Sequence, residues 1–216
     1  HYNGAPMPEA TPRSGSAAII GRPNVGKSTL LNSLLGQKLA IATSKPGTTR
    51  SVLLGVYVQQ EPPTQIAFID TPGMHRPHNA LGRALVEDAK AGLASADVIV
   101  FVTEIGKQGG RLTFPVPGDA EILEQLRDFK GKVVLVINKV DRLKEKALLL
   151  PLIERASKAF DFAAVVPVSA LRKDNMDSLV RALREQLPEG LAYDPEMLTD
   201  KPQRFFASEL IREAVL

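Results

Sequence analysis

Gly21-Arg22-Pro23-Asn24-Val25-Gly26-Lys27-Ser28 follows the apolar run Ser16-Ala17-Ala18-Ile19-Ile20 and leads into Thr29-Leu30-Leu31-Asn32-Ser33-Leu34-Leu35, whose leucines recur at helical spacing. The order strand, loop, helix decides the fold. Gly21 and Gly26 allow turn conformations closed to residues with side chains, so the N–H groups of Arg22, Pro-flanked Asn24 and Val25 can converge on an anion held by the loop. The start of the helix, at Ser28 and Thr29, adds about half a positive charge from its free backbone amides. Lys27 supplies a full charge for β- and γ-phosphates, and Ser28 a ligand for Mg²⁺. Arg22, Pro23, Asn24 and Val25 complete the loop. An ordinary glycine turn before a helix explains the glycines but not the Lys-Ser pair at this spacing.

Outward from this loop the chain alternates strands and helices. Residues 51–59 and Gln65–Asp70 form an antiparallel hairpin, because the turn between them is too short for a parallel crossover. Leu81, Leu85, Ala89 and Leu93 mark a helical face, and Asp97–Thr103 and Lys132–Ile137 read as buried strands. Helices are expected over 119–129, 145–160 and 175–187, the last capped by Asn175, with a strand over 163–168. Residues 36–50 and 106–118 read as loops, rich in Gly, Pro, Ser and Thr. The pattern predicts an α/β fold of three layers: a six-stranded, mostly parallel sheet with one antiparallel strand and helices on both faces. Ligands then bind at the carboxyl ends of the strands.

The chain has 216 residues, 44% hydrophobic and 24% charged, close to globular averages and enough for about one domain. Residues 1–14 read as a disordered arm, 15–188 as the domain, 189–204 as a linker, and 205–216 as the start of a new amphipathic helix. No apolar run approaches the ~18 residues of a membrane span. A formal net charge of +3 is too small a bias to identify a nucleic-acid or lipid partner by itself, and the absence of cysteine removes any disulfide framework.

Three further motifs fall at strand ends. In Asp70-Thr71-Pro72-Gly73 the carboxylate of Asp70 can hold a water on Mg²⁺ and the Gly73 N–H can meet a γ-phosphate oxygen. Thr48 and Thr49, between the first helix and the second strand, offer a hydroxyl to the same ion, with Thr49 the favoured ligand. Asn138-Lys139-Val140-Asp141 follows a buried strand. There Asp141 can accept hydrogen bonds from the N1–H and exocyclic amine of guanine, donors that adenine lacks. Asn138 and Lys139 would brace the loop and pack the base, while backbone N–H groups of Ser169-Ala170-Leu171 would meet guanine O6. Without the phosphate loop each motif reads as a solvated turn; in sequence after it they describe a GTP/GDP site.

The ordered set GRPNVGKS, GTTR, DTPG, NKVD and SAL resembles the translation-factor-related GTPases. Leu31-Asn32-Ser33-Leu34-Leu35-Gly36-Gln37-Lys38, His75, and Thr199-Asp200-Lys201-Pro202-Gln203-Arg204-Phe205 are similar to the Era GTPases, a resemblance that covers about residues 16–216. It implies a GTPase domain followed by an RNA-binding KH domain, which together act on small-subunit ribosomal RNA during ribosome assembly. The absence of cysteine makes a cytoplasmic location the default expectation, with a monomeric protein and peripheral contact with the inner membrane as further expectations. No Gly-x-x-Gly loop follows residue 188, so 205–216 matches only the leading edge of a KH domain.

Hydrolysis in such a site is in-line attack of water on the γ-phosphoryl group, assisted by positioning and charge, with Lys27, Thr49, Gly73 and Asn24 as the catalytic candidates. Met74 occupies the position where many GTPases carry a water-orienting glutamine. Asn24 is therefore expected to help hold K⁺ in place of an arginine finger, as in potassium-responsive relatives. His75 is a weaker candidate for touching the water. Residues 37–50 and 72–80 are expected to order and disorder with the γ-phosphate. Competing readings are a GTP-dependent binding module without useful turnover, a tRNA-modification GTPase, and an ATPase or small-molecule kinase.

Overall fold

The computed structural model describes residues 10–36, 39–42, 52–70, 96–108, 111–127, 129–143, 145–192 and 198–199. Its strands are β1 (Arg13–Ile20), β2 (Leu39–Ala42), β3 (Val52–Gln59), β4 (Thr64–Asp70), β5 (Val98–Glu104), β6 (Gly106–Gln108), β7 (Arg111–Thr113), β8 (Lys132–Asn138), β9 (Ala164–Pro167) and β10 (Leu198–Thr199). The α-helices are α1 (Lys27–Leu35), α2 (Pro117–Leu126), α3 (Leu149–Ala159) and α4 (Met176–Arg184).

One sheet runs in the order β10-β2-β3-β4-β1-β5-β8-β9. Strands β4, β1, β5, β8 and β9 are mutually parallel and β3 is antiparallel to β4, which is the expected six-stranded core. Alternation along β5 explains the layers. Val98, Val100 and Val102 join Leu30 and Leu34 of α1 and Leu179 and Leu183 of α4 on one face. Ile99 and Phe101 join Ile122 and Leu126 of α2 and Leu152 and Ala156 of α3 on the other. A strand that feeds two cores must be apolar at every position, which is why β5 and β8 read as unbroken hydrophobic runs.

Several expectations need correction. The sheet has eight strands, because β2 lies within the stretch read as a loop over 36–50 and β10 within the linker, each pairing antiparallel at the edge. Four residues or fewer leave too short a pattern to detect. The stretch 106–118 holds the β6–β7 ribbon, where Gly106 pairs with Thr113 and Gln108 with Arg111. Strand β1 begins at Arg13, inside the expected arm, since Arg13 donates to the Leu187 carbonyl at 3.0 Å and Pro12 accepts from Gly190 at 2.8 Å. The helix expected from 145 opens with a 3₁₀ turn, Lys146–Leu148, before α3. Asn175 stands at the cap of α4 with φ 63°, but its side chain donates to the Pro167 carbonyl at 2.8 Å instead of capping the helix. The helix expected around Leu81–Leu93, most of the two loops expected to respond to the γ-phosphate (37–50 and 72–80), and 205–216 lie outside the described residues.

Candidate nucleotide site

Parallel β1, β4, β5, β8 and β9 bring their carboxyl ends to one edge, and among the described residues the glycine loop, Asp70, Asn138–Asp141 and Ser169–Leu171 follow or close those ends. β1 ends at Ile20 and hands the chain to the glycine loop. Gly21 has φ 148°, and a Cβ on it would lie 2.1 Å from the Val102 carbonyl oxygen of neighbouring β5. Gly26 has φ 99°, and a Cβ there would fall 2.3 Å from Asn138 Nδ2. Both glycines are therefore required by conformation and by space. Helix α1 starts directly after Gly26 without a side-chain cap and without an acidic residue in its first turn, so nothing in its own sequence competes with an anion there. Ser28 and Thr29 are exposed at that end.

Lys27 Nζ donates to the carbonyls of Gly21 at 2.7 Å and Arg22 at 2.8 Å, folding the ammonium group back into the loop. Asp70 closes β4 in register with Ile19, one residue before the end of β1. Hydroxyl and carboxylate are the oxygen donors that Mg²⁺ takes together with substrate phosphates. Among the described residues there is no group of three or more His, Cys, Asp or Glu that could hold a metal ion by itself. Thr48, Thr49 and Gly73 lie outside the described residues, as do Met74 and His75.

The loops that follow β8 and β9 are built onto the glycine loop. Asn138, buried at the end of β8, donates from Nδ2 to the Val25 carbonyl at 2.9 Å, and its Oδ1 accepts from the Ala170 N–H at 3.0 Å. Lys139 has φ 65° and donates from Nζ to the Asn24 carbonyl and to Glu104 Oε2, both at 2.6 Å. These bonds tie the segment of Asn138 and Lys139 directly to the loop of Asn24 and Val25. Ser169 Oγ donates to Asp141 Oδ1 at 2.6 Å. That hydrogen bond holds the Asp141 carboxyl below the usual carboxylate value; burial opposes it, and Arg172 and Arg142 add smaller effects in the same direction as the hydrogen bond.

The amides expected to meet guanine O6 have partners within the chain: the Ser169 N–H donates to the Asp174 carbonyl at 3.2 Å and the Ala170 N–H to Asn138 Oδ1 at 3.0 Å. Both are consumed by the turn that orients Ser169 and by the brace on Asn138. Leu171, beside them, is exposed.

Two acids escaped the sequence reading. Glu104 ends β5 and accepts from Lys139, with Arg142 Nη1 3.7 Å away. Asp119, in the first turn of α2, is fully buried and accepts from Arg22 Nε and Thr103 Oγ1, each at 2.6 Å. The polar Thr103-Glu104 closing an apolar strand at the ligand edge was the available signal for this neighbourhood.

Residues 16–139 match the family described as 50S ribosome-binding GTPase. GTPase Era of Clostridioides difficile is 43% identical over 205 residues, covering 94% of this chain and 66% of the relative. A structure of Aquifex aeolicus Era bound to GDP and AlF4⁻ superposes with a TM-score of 0.71 at 41% identity, covering 93% of this chain and 66% of that one. A structure of Era in complex with MgGDPNP and nucleotides 1506–1542 of 16S ribosomal RNA gives a TM-score of 0.72 at 42% identity, covering 94% and 66%. The chain therefore spans about two thirds of the length of these relatives.

Proposed function

The chain belongs to the 50S ribosome-binding GTPase family, as an Era-type member, and from that premise we propose that it binds GTP and hydrolyses it to GDP and phosphate. The observation that carries this reading is the pair of bonds from Asn138 to Val25 and Ala170. They join the loop built for phosphate to the loop that holds the Asp141 carboxylate, so one purine nucleotide can span both.

In this reading the loop from Gly21 to Thr29 wraps the phosphates with backbone amides, and Lys27 turns its ammonium from the loop carbonyls to the β- and γ-oxygens. Ser28, Thr49 and Asp70 hold Mg²⁺, with Thr48 and Gly73 beside the γ-phosphate. Mg²⁺, when bound, supplies charge neutralisation at the phosphoryl oxygens. Asp141 reads the base, and Lys139 and Asn138 keep that acid in register with the phosphate loop. Asn24 takes part in holding K⁺.

The physiological role we infer is a nucleotide-controlled switch in small ribosomal subunit assembly that meets ribosomal RNA through a KH module. Its support is the 42% identity to the Era protein seen with a 16S RNA fragment. A monomeric, cytoplasmic factor with peripheral membrane contact completes the proposal.

Titration of GTP, GDP and ATP tests the assignment. GTP and GDP should bind and ATP should not compete. Asp141→Asn should weaken guanine nucleotides by on the order of a hundredfold or more and improve xanthine nucleotides, whose ring carbonyl accepts from an amide. Equal competition by ATP would refute the guanine site.

A further inference from the structure

The stretch 106–118 and the start of α2 have no part in the roles assigned so far, yet they deliver the most deeply buried charge near the site. We propose that Asp119 is a positioning residue for the phosphate loop, acting through Arg22 on the resting place of the Lys27 ammonium group. The inference rests on the reading of that loop as the phosphate site.

The contacts form a continuous path. Thr103 Oγ1, at the end of β5, donates to Asp119 Oδ2, and Arg22 Nε donates to Asp119 Oδ1, both at 2.6 Å. The Arg22 carbonyl, together with that of Gly21, accepts from Lys27 Nζ. Asp119 therefore fixes the side chain of the residue whose backbone holds the catalytic ammonium group. Its carboxylate is inaccessible to solvent whereas the Arg22 side chain is 26% exposed, so the acid is the fixed member and the arginine the one that is held. Movement of Arg22 would strand a buried charge, which makes the arrangement stiff.

The surrounding geometry serves the same end. Pro117 and Gly118 precede Asp119 in the first turn of α2, where an acid also complements the helix dipole. A Cβ at Gly118 would lie 2.5 Å from Arg22 Cδ, so the arginine stem lies directly over this glycine. Val116 accepts from the Asp119 N–H at 2.9 Å, and Gly106 at the other end of the stretch lies close to both Val116 and Thr113. The ribbon thus returns the chain to the site edge at the height needed to place Asp119 under Arg22.

A purely structural ion pair closing α2 onto the sheet would have the same distances, so the test must separate the two. Asp119→Asn keeps the shape and can still accept from Thr103, but turns an amide toward Arg22. Arg22→Gln and the double variant Asp119→Asn/Arg22→Gln complete a cycle on the full chain. The single-turnover rate constant for GTP hydrolysis should fall on the order of 10–100-fold in Asp119→Asn, with little change in the GTP affinity read by titration. The double variant should be no worse than either single one. In nucleotide-free protein, amide exchange over residues 22–27 should quicken in Asp119→Asn while residues 120–126 of α2 keep their protection.

Unchanged hydrolysis with unchanged exchange in the loop would overturn the proposal. So would additive losses in the double variant, or exchange that rises in α2 alone. If wild-type protein took up no guanine nucleotide, the assigned function would fail, whereas the exchange comparison would still decide whether Asp119 positions the loop.

Discussion

Asn138 Nδ2 donates to the Val25 carbonyl at 2.9 Å, joining residues 113 positions apart in the chain and tying the phosphate loop to the end of β8. Through its other amide atom the same side chain receives the Ala170 N–H. This buried amide, with the Lys139 bond to the Asn24 carbonyl beside it, holds the two loops together.

Replacing it with Asn138→Ala strands two backbone groups in a site that is 2% exposed. Each buried unpaired group costs about 1–2 kcal/mol, so unfolding stability should fall by about 2–4 kcal/mol. Urea denaturation would measure this as a lower midpoint at an unchanged slope. Guanine nucleotide affinity should fall as well, because loops that drift apart no longer match one ligand.

Gly26→Ala should be damaging for two separate reasons. The φ of 99° is foreign to alanine, and the new methyl, 2.3 Å from Asn138 Nδ2, would displace that amide. Backbone strain of this kind costs about 1–3 kcal/mol before the broken hydrogen bond is counted. Calorimetric unfolding should register the loss, and a fluorescent GDP analogue should bind weakly or not at all. Normal binding with normal stability would show that the loop can choose another conformation.

The Asp141 carboxyl is held below its usual value chiefly by the Ser169 hydroxyl. A lowered carboxyl in the folded state favours the ionised form, so its contribution to stability is fully present above the unfolded value. It is lost as pH falls through the lower folded value. The carboxylate needed for guanine should therefore persist into acid below the usual carboxylate range. Ser169→Ala removes the largest cause, so the carbon resonance of the Asp141 carboxyl should titrate at higher pH than in wild type. GDP binding should fail at correspondingly higher pH.

Asn24 has φ 63° and is exposed on the phosphate loop, with its own carbonyl held by Lys139. If its side chain helps hold K⁺, GTP hydrolysis should be faster in KCl than in NaCl at matched ionic strength. Asn24→Gly, which removes the side chain and tolerates this φ, should remove the difference without loss of GDP affinity. Equal rates in both salts for the wild type would exclude the ion from the mechanism.

The sequence alone determined what local chemistry determines. Glycine spacing, a Lys-Ser pair and a strand-to-helix change of period are encoded within about a dozen residues, so the phosphate loop, the parallel sheet and its antiparallel member were legible. The placement of Asn138–Asp141 at the end of a buried strand was legible for the same reason, as a short motif after an apolar run. Tertiary structure decided which groups were already engaged. Strand order places β5 between β1 and β8, and only that neighbourhood brings Glu104 to Lys139 and Asp119 to Arg22, pairs separated by 35 and 97 positions. It also turns the Ser169 and Ala170 amides inward, because a buried N–H must find an acceptor and the nearest were Asp174 and Asn138. A hydrogen bond is a choice among neighbours in space, and sequence spacing carries that information only where the neighbours are also close along the chain.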